Sequence, residues 1–102
     1  MKSGVCMSFS DEKIQQVWEK GKVASNNNPN IYRKDECGAW INRAAYGKRD
    51  SQYGWEIDHI NPNGGDDLSN LRPLQWENNL DKSDKKRLTC VVTAEGTNNV
   101  KK

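Results

Sequence analysis

Between Gly54 and Ile60 the chain alternates, with Trp55, Ile57 and His59 on one side of a regular strand and Glu56, Asp58 and Ile60 on the other. The next residues, Asn61-Pro62-Asn63-Gly64-Gly65-Asp66-Asp67, are turn formers that end it, and Leu68 to Leu74 returns toward the sheet with Pro73 near its end. Gln75 to Arg87 then reads as a helix. Trp76 and Leu80 lie four apart on its inner face, and Lys82, Lys85, Lys86 and Arg87 gather at the end where the macrodipole favours cations. The order predicted for this half is strand, long loop, strand, helix.

Upstream, Ser10 is an N-cap with Asp11 and Glu12 behind it, and Ile14, Val17 and Trp18 share one face of a helix over about residues 10–20, closed by Gly21. The run from Ser25 to Asn30 is turn chemistry, Cys37 to Ile41 reads as a short strand, and Asn42 to Tyr53, with Arg43, Lys48 and Arg49, as an exposed basic loop. Val91 and Val92 suggest one more short strand, and about residues 95–102 a frayed tail. The expectation is a single α+β domain over 1–102 with its core at about 31–88.

Composition narrows the class. Only 33% of residues are hydrophobic and the mean hydropathy is −1.05, so four Trp, three Tyr and one Phe must supply much of the buried area. No apolar run approaches the ~18 residues of a membrane span, and the first ten residues lack the apolar segment of a secretory signal, which leads us to expect a cytoplasmic protein without membrane contact. Cys6, Cys37 and Cys90 are odd in number and form no CxxC pair; three reduced thiols and no structural zinc are expected. Charge is segmented: residues 1–55 hold nine basic and six acidic groups, 56–81 one and six, and 82–102 six and two. Basic flanks suit a polyanion, and the acidic centre would repel phosphate unless a cation sits in it. A solvated acidic loop explains the same counts.

His59 is the chain's one imidazole, the side chain best suited to accept a proton near neutrality. Asp58 and Asn79 are hard oxygen donors of the kind that hold Mg²⁺ or Mn²⁺, and Lys82 and Lys86 stand three and seven residues after Asn79 on the predicted helix. Neighbours in an ideal strand face opposite ways, so bringing Asp58 and His59 to one ion requires a distorted strand end.

Asp58-His59, then Asn70 in Ser69-Asn70-Leu71, then Asn79 with Lys82 after it, resemble the HNH, or ββα-metal (His-Me finger), endonucleases. The likeness extends through Gly64-Gly65-Asp66-Asp67 to Leu74 and through Asn79-x-x-Lys82-Ser83-Asp84, and it spans roughly residues 10 to 87. It is similar to small stand-alone bacterial and phage members. The resemblance implies an antiparallel hairpin with a long loop, crossed by a helix, with the N-terminal helix as an addition. It implies His59 as the general base, Asp58 and Asn79 as ligands of one Mg²⁺ or Mn²⁺ ion, and Asn70 as the residue that ties down the loop. Lys82, Lys86 and Arg87 would face phosphate. The implied activity is metal-dependent hydrolysis of DNA phosphodiesters to 5′-phosphate and 3′-hydroxyl ends.

Two departures stand out. The last position of the motif is an asparagine, a weaker ligand than imidazole, and the paired CxxC knuckles of many members are missing, which leaves Trp40, Trp55 and Trp76 to hold the fold by packing. A DNA-binding module of the same fold with little cleavage is the alternative. A calcium loop at Asn61 to Asp67 ranks last, for it lacks the alternating carboxylates and final Glu that such loops use.

Overall fold

The computed structural model describes residues 9–102. The described residues form two α-helices and three antiparallel hairpins: α1 (Asp11–Trp18), β1 (Tyr32–Lys34), β2 (Trp40–Asn42), β3 (Trp55–His59), β4 (Leu71–Gln75), α2 (Trp76–Lys82), β5 (Val92–Glu95) and β6 (Asn98–Lys101). This is an α+β architecture. Among the described residues no helix is long and apolar enough to cross a membrane.

Helix α1 starts where the sequence indicates, with the Ser10 hydroxyl accepting from the Lys13 amide at 3.1 Å. Its buried stripe of Ile14, Val17 and Trp18 meets Trp55, Ile57 and Leu71 of the β3–β4 hairpin, and Ile41 closes the cluster. Trp18 and Trp55 pack with ring centroids 5.3 Å apart, and Tyr46 lies 4.9 Å from Trp55. Aromatic anchoring is therefore centred on Trp18 and Trp55, both fully buried, with α1 supplying half of it; of the three tryptophans expected to hold the fold, Trp55 is in this cluster and Trp40 and Trp76 are not.

Hairpin β3–β4 is paired from Trp55↔Gln75 to His59↔Leu71 without interruption. The returning strand is shorter than expected because Leu68–Asn70 turns as a 3-10 helix before β4 begins. Helix α2 also stops early. Ser83 adopts φ 52°, a left-handed conformation, so Lys85, Lys86 and Arg87 lie beyond the helix rather than on its face. Its inner face is polar: Asn78 and Lys82 are buried, whereas Leu80, expected inside, is 53% exposed.

The reason is a polar cluster around Asp35, which is 1% exposed. Its Oδ1 accepts from the amides of Cys37 and Ala39, each at 2.9 Å, and its Oδ2 accepts from the Gln75 amide at 2.9 Å and from Asn78 Nδ2 at 3.1 Å. Asn78 carries the chain of contacts onward, its Oδ1 receiving the amides of Val91 (2.8 Å) and Val92 (2.9 Å). Gln75 caps α2 through its own Oε1, 2.8 Å from the Glu77 amide. One carboxylate thus joins the β1–β2 turn, the β4–α2 junction and the entry to β5.

Three expectations are corrected here. Cys37 and Cys90 are joined as a disulfide, with Cα atoms 5.5 Å apart and 53 residues of separation, so they are not reduced thiols; Cys6 lies outside the described residues. Such bonds persist where the surroundings are oxidising. The tail is not frayed, for β6 pairs with β5 and Asn99 bonds both Trp40 and Gln52. Within the supposed exposed basic loop, Arg43 is half-buried and donates to Gln15 at 2.8 Å.

Closing a loop of this length is worth about 4 kcal/mol by chain entropy. Cys37→Ala/Cys90→Ala should lower the unfolding free energy by about 2–4 kcal/mol in urea melts, and reductant should bring the native protein down to the same value. Burial pushes the Asp35 carboxyl above its ordinary value, against the pull of its four hydrogen bonds. A raised folded pKa contributes stability below the unfolded value and loses it as pH rises through the raised one. The stability difference between native protein and Asp35→Asn should therefore shrink as pH rises through that interval, and a pH-independent difference in urea midpoints would contradict it.

Candidate functional site

The alternation along β3 sorts the site residues onto two faces. Trp55 and Ile57 turn to α1, and His59 continues that side with its ring 6.2 Å from Phe9. Glu56 and Asp58 turn to α2, where Glu56 Oε1 accepts from Asn79 Nδ2 at 2.9 Å and Asp58 Oδ1 pairs with Lys82 Nζ at 3.1 Å. The expected distortion at the strand end is absent, because ladder pairing runs through both Asp58 and His59. Asp58 and His59 therefore face opposite ways, and the structure does not bring them together.

His59 sits where β3 meets the long loop, with its side chain 28% exposed. Its Nε2 lies 2.6 Å from Asp66 Oδ1 on that loop. Asn70 holds the loop from inside: its Oδ1 accepts from the Asn61 amide at 2.9 Å, and its Nδ2 donates to the carbonyls of Asn61 (3.1 Å) and Gly65 (2.9 Å). Gly64 is needed at this point, since a Cβ there would stand 2.7 Å from Asn70 Nδ2. The imidazole's partner is thus carried on a loop that Asn70 pins.

The α2-facing side is a layer of charge. Asp58 is 4% exposed, and Arg72, its cross-strand partner, donates to Oδ2 through Nε at 2.9 Å. Lys82 is fully buried, bridging Asp58 and the His59 carbonyl, the latter at 3.0 Å. It was expected to face phosphate; its long side chain is instead turned under the hairpin. Lys86 and Arg87 are exposed as that role requires, although beyond the helix. Arg49 grips Glu56 through Nε at 2.7 Å and Nη2 at 2.9 Å. That hydrogen bond raises the Arg49 guanidinium further above its ordinary value, while burial, followed by the Glu56 charge, pushes the Tyr46 phenol up.

Do these residues fit a divalent cation? Glu56, Asp58 and Asn79 are hard donors on one side, which is suitable chemistry. The charge is not: both oxygens of Asp58 are taken by Arg72 and Lys82, and Arg49, Arg72 and Lys82 outnumber the two carboxylates. Asn79, expected beside Asp58 at the ion, turns its amide to Glu56. In this arrangement the ammonium of Lys82 occupies the cationic position, and the donor set does not fit Mg²⁺ or Mn²⁺. Among the described residues no group of three or more His, Cys, Asp or Glu is placed to hold a metal.

Sequence reasoning passed over three participants. Asp66 was visible only as one acid in a loop, and its reach to His59 depends on how Asn70 folds that loop. Glu56 reads in the sequence only as a polar position of the alternating strand, yet its side chain is 19% exposed and held by two partners. Arg72 could have been found, because antiparallel pairing about the loop sets it opposite Asp58. Comparison with protein-family models, curated proteins and solved structures returns no match.

If Lys82 excludes a divalent cation, removing its charge should admit one. Lys82→Met keeps the apolar stem, and Mn²⁺ affinity followed by electron paramagnetic resonance should rise by about tenfold or more over the native protein. Equal affinity in the two proteins would show that the ammonium does not control the site.

Proposed function

We propose that the chain is a nuclease of the HNH, or ββα-metal, kind, hydrolysing DNA phosphodiester bonds. The observation that carries this reading is the placement of His59: the single imidazole stands at the end of β3, part-exposed, oriented by Asp66 on a loop tied by Asn70, in a hairpin that α2 crosses. With Asp66 accepting from Nε2–H, the lone pair at Nδ1 is available to take a proton from water, the role of a general base.

Catalysis of phosphoryl transfer also needs positive charge near the phosphate. Arg72 is the candidate from this chain, on the Asp58 side of the hairpin: its Nε is committed to Asp58, while its terminal nitrogens have no partner among the described residues. The resemblance brings Mg²⁺ or Mn²⁺ with it, and the arrangement at Asp58 does not fit that ion. One observation also favours the alternative of a DNA-binding module with little cleavage: Lys82 and Arg72 already neutralise Asp58.

Conversion of supercoiled plasmid separates these readings. The native protein should nick it to open circles, since one site per chain cuts one strand, and His59→Ala should abolish this. Parallel reactions with Mg²⁺, Mn²⁺ and EDTA establish whether an ion is used. Asp66→Ala should slow nicking by roughly 10–100-fold with an unchanged melting temperature. Equal activity in native protein and His59→Ala would overturn the assignment of the base, and binding without cleavage by either would favour the DNA-binding module.

A further inference from the structure

Arg72 has a second environment besides Asp58. Arg72 also lines a cavity of about 140 Å³ bounded by Lys20, Lys22, Lys34 and Glu36. At roughly 30 Å³ per water, that space takes a phosphate group with some of its hydration.

Cations dominate the lining. Lys22 is exposed and its ammonium has no partner among the described residues, and the Lys34 ammonium rests 4.6 Å from the Trp40 ring centroid, which leaves its hydrogen-bond donors unused. Lys20 is partly committed, its Nζ donating to the Leu68 and Leu71 carbonyls. Two acids also border the space. Asp35 is buried and its oxygens are occupied by four donors, and Glu36 is exposed. The backbone is committed as well, since Lys22 and Lys34 exchange amide-to-carbonyl bonds of 2.8 and 2.9 Å. An anion here would be held by side chains alone.

We infer that this cavity holds a backbone phosphate of the nucleic acid bound at His59, with Lys22, Lys34 and the free end of Arg72 as its partners. Continuity through Arg72 selects a phosphodiester over an unrelated anion, because this one residue borders both the Asp58 layer and the cavity. The inference rests on the nuclease reading. It adds a second anchoring point, which would fix the register of the strand at His59 without reading its sequence.

The test is binding of a short DNA duplex in EDTA across a salt series, with native protein, Lys22→Ala/Lys34→Ala and a control pair of exposed lysines, Lys48→Ala/Lys102→Ala. All three should share one melting temperature. The slope of log affinity against log salt should fall by about 1, the share of one phosphate, in the first variant and not in the control. In parallel, titrating inorganic phosphate should shift the amide resonances of Gly21 and Lys22 in the native protein and not in the first variant. Duplex binding with an unchanged slope, an equal fall in the control pair, or no phosphate-induced shifts would overturn the cavity assignment while leaving the nuclease reading in place. No duplex binding by native protein would overturn both.

Discussion

A single buried carboxylate, Asp35, is the constraint around which the chain is arranged. Its four donors come from two separate stretches, the Cys37–Ala39 turn and the Gln75–Asn78 junction. Burying a charge is costly unless its hydrogen-bonding capacity is filled, so the two stretches must meet in one geometry. Gln75 and Asn78 open helix α2, which makes Asp35 the element that sets where α2 crosses the β3–β4 hairpin. The positions of Asn79 and Lys82 beneath that hairpin follow from it.

Electrostatics then determines what the crossing can do. Parallel to the core face of Trp55, Ile57 and Leu71 runs a charged face of Glu56, Asp58 and Arg72, on which α2 lays Asn79 and Lys82. An ion pair this deeply buried is a poor source of net stability, yet removing one partner leaves an uncompensated charge. Asp58 with its two cations is therefore held rigidly, while His59, one residue on, turns to the other face and meets an exposed partner, Asp66, supplied by the loop. His59 and the charge layer are separated by the thickness of one strand.

Much of this was legible in the sequence. The Ser10 cap and the Ile14, Val17, Trp18 spacing specify α1, and alternation specifies β3, because local rules act there without competition. What escaped depends on long-range pairing. Leu80 looked like a core residue by spacing, but Asp35 draws the Asn78 side of α2 inward and leaves Leu80 outside. Lys82 looked like a surface cation, and only the presence of Asp58 beneath it explains its burial. Cysteine arithmetic failed because a pair 53 residues apart leaves no local spacing to read. The last strand was missed since Asn98 to Lys101 has no apolar alternation; side-chain amides of Asn99 and Gln52 hold it instead.

The bond between Cys37 and Cys90 also makes the segment between them a covalent ring, and Asp58, His59, Asn70, Asn79 and Lys82 all lie on it. A ring cut once remains one molecule. A protease that opens the exposed tip at Asn63 to Asp67 would release Asp66 from its hold on His59 while the two pieces stay joined through sulfur. Such a nicked form would gain only the mass of one water until reduced, so the intactness of the loop and the integrity of the molecule are separate properties of this protein.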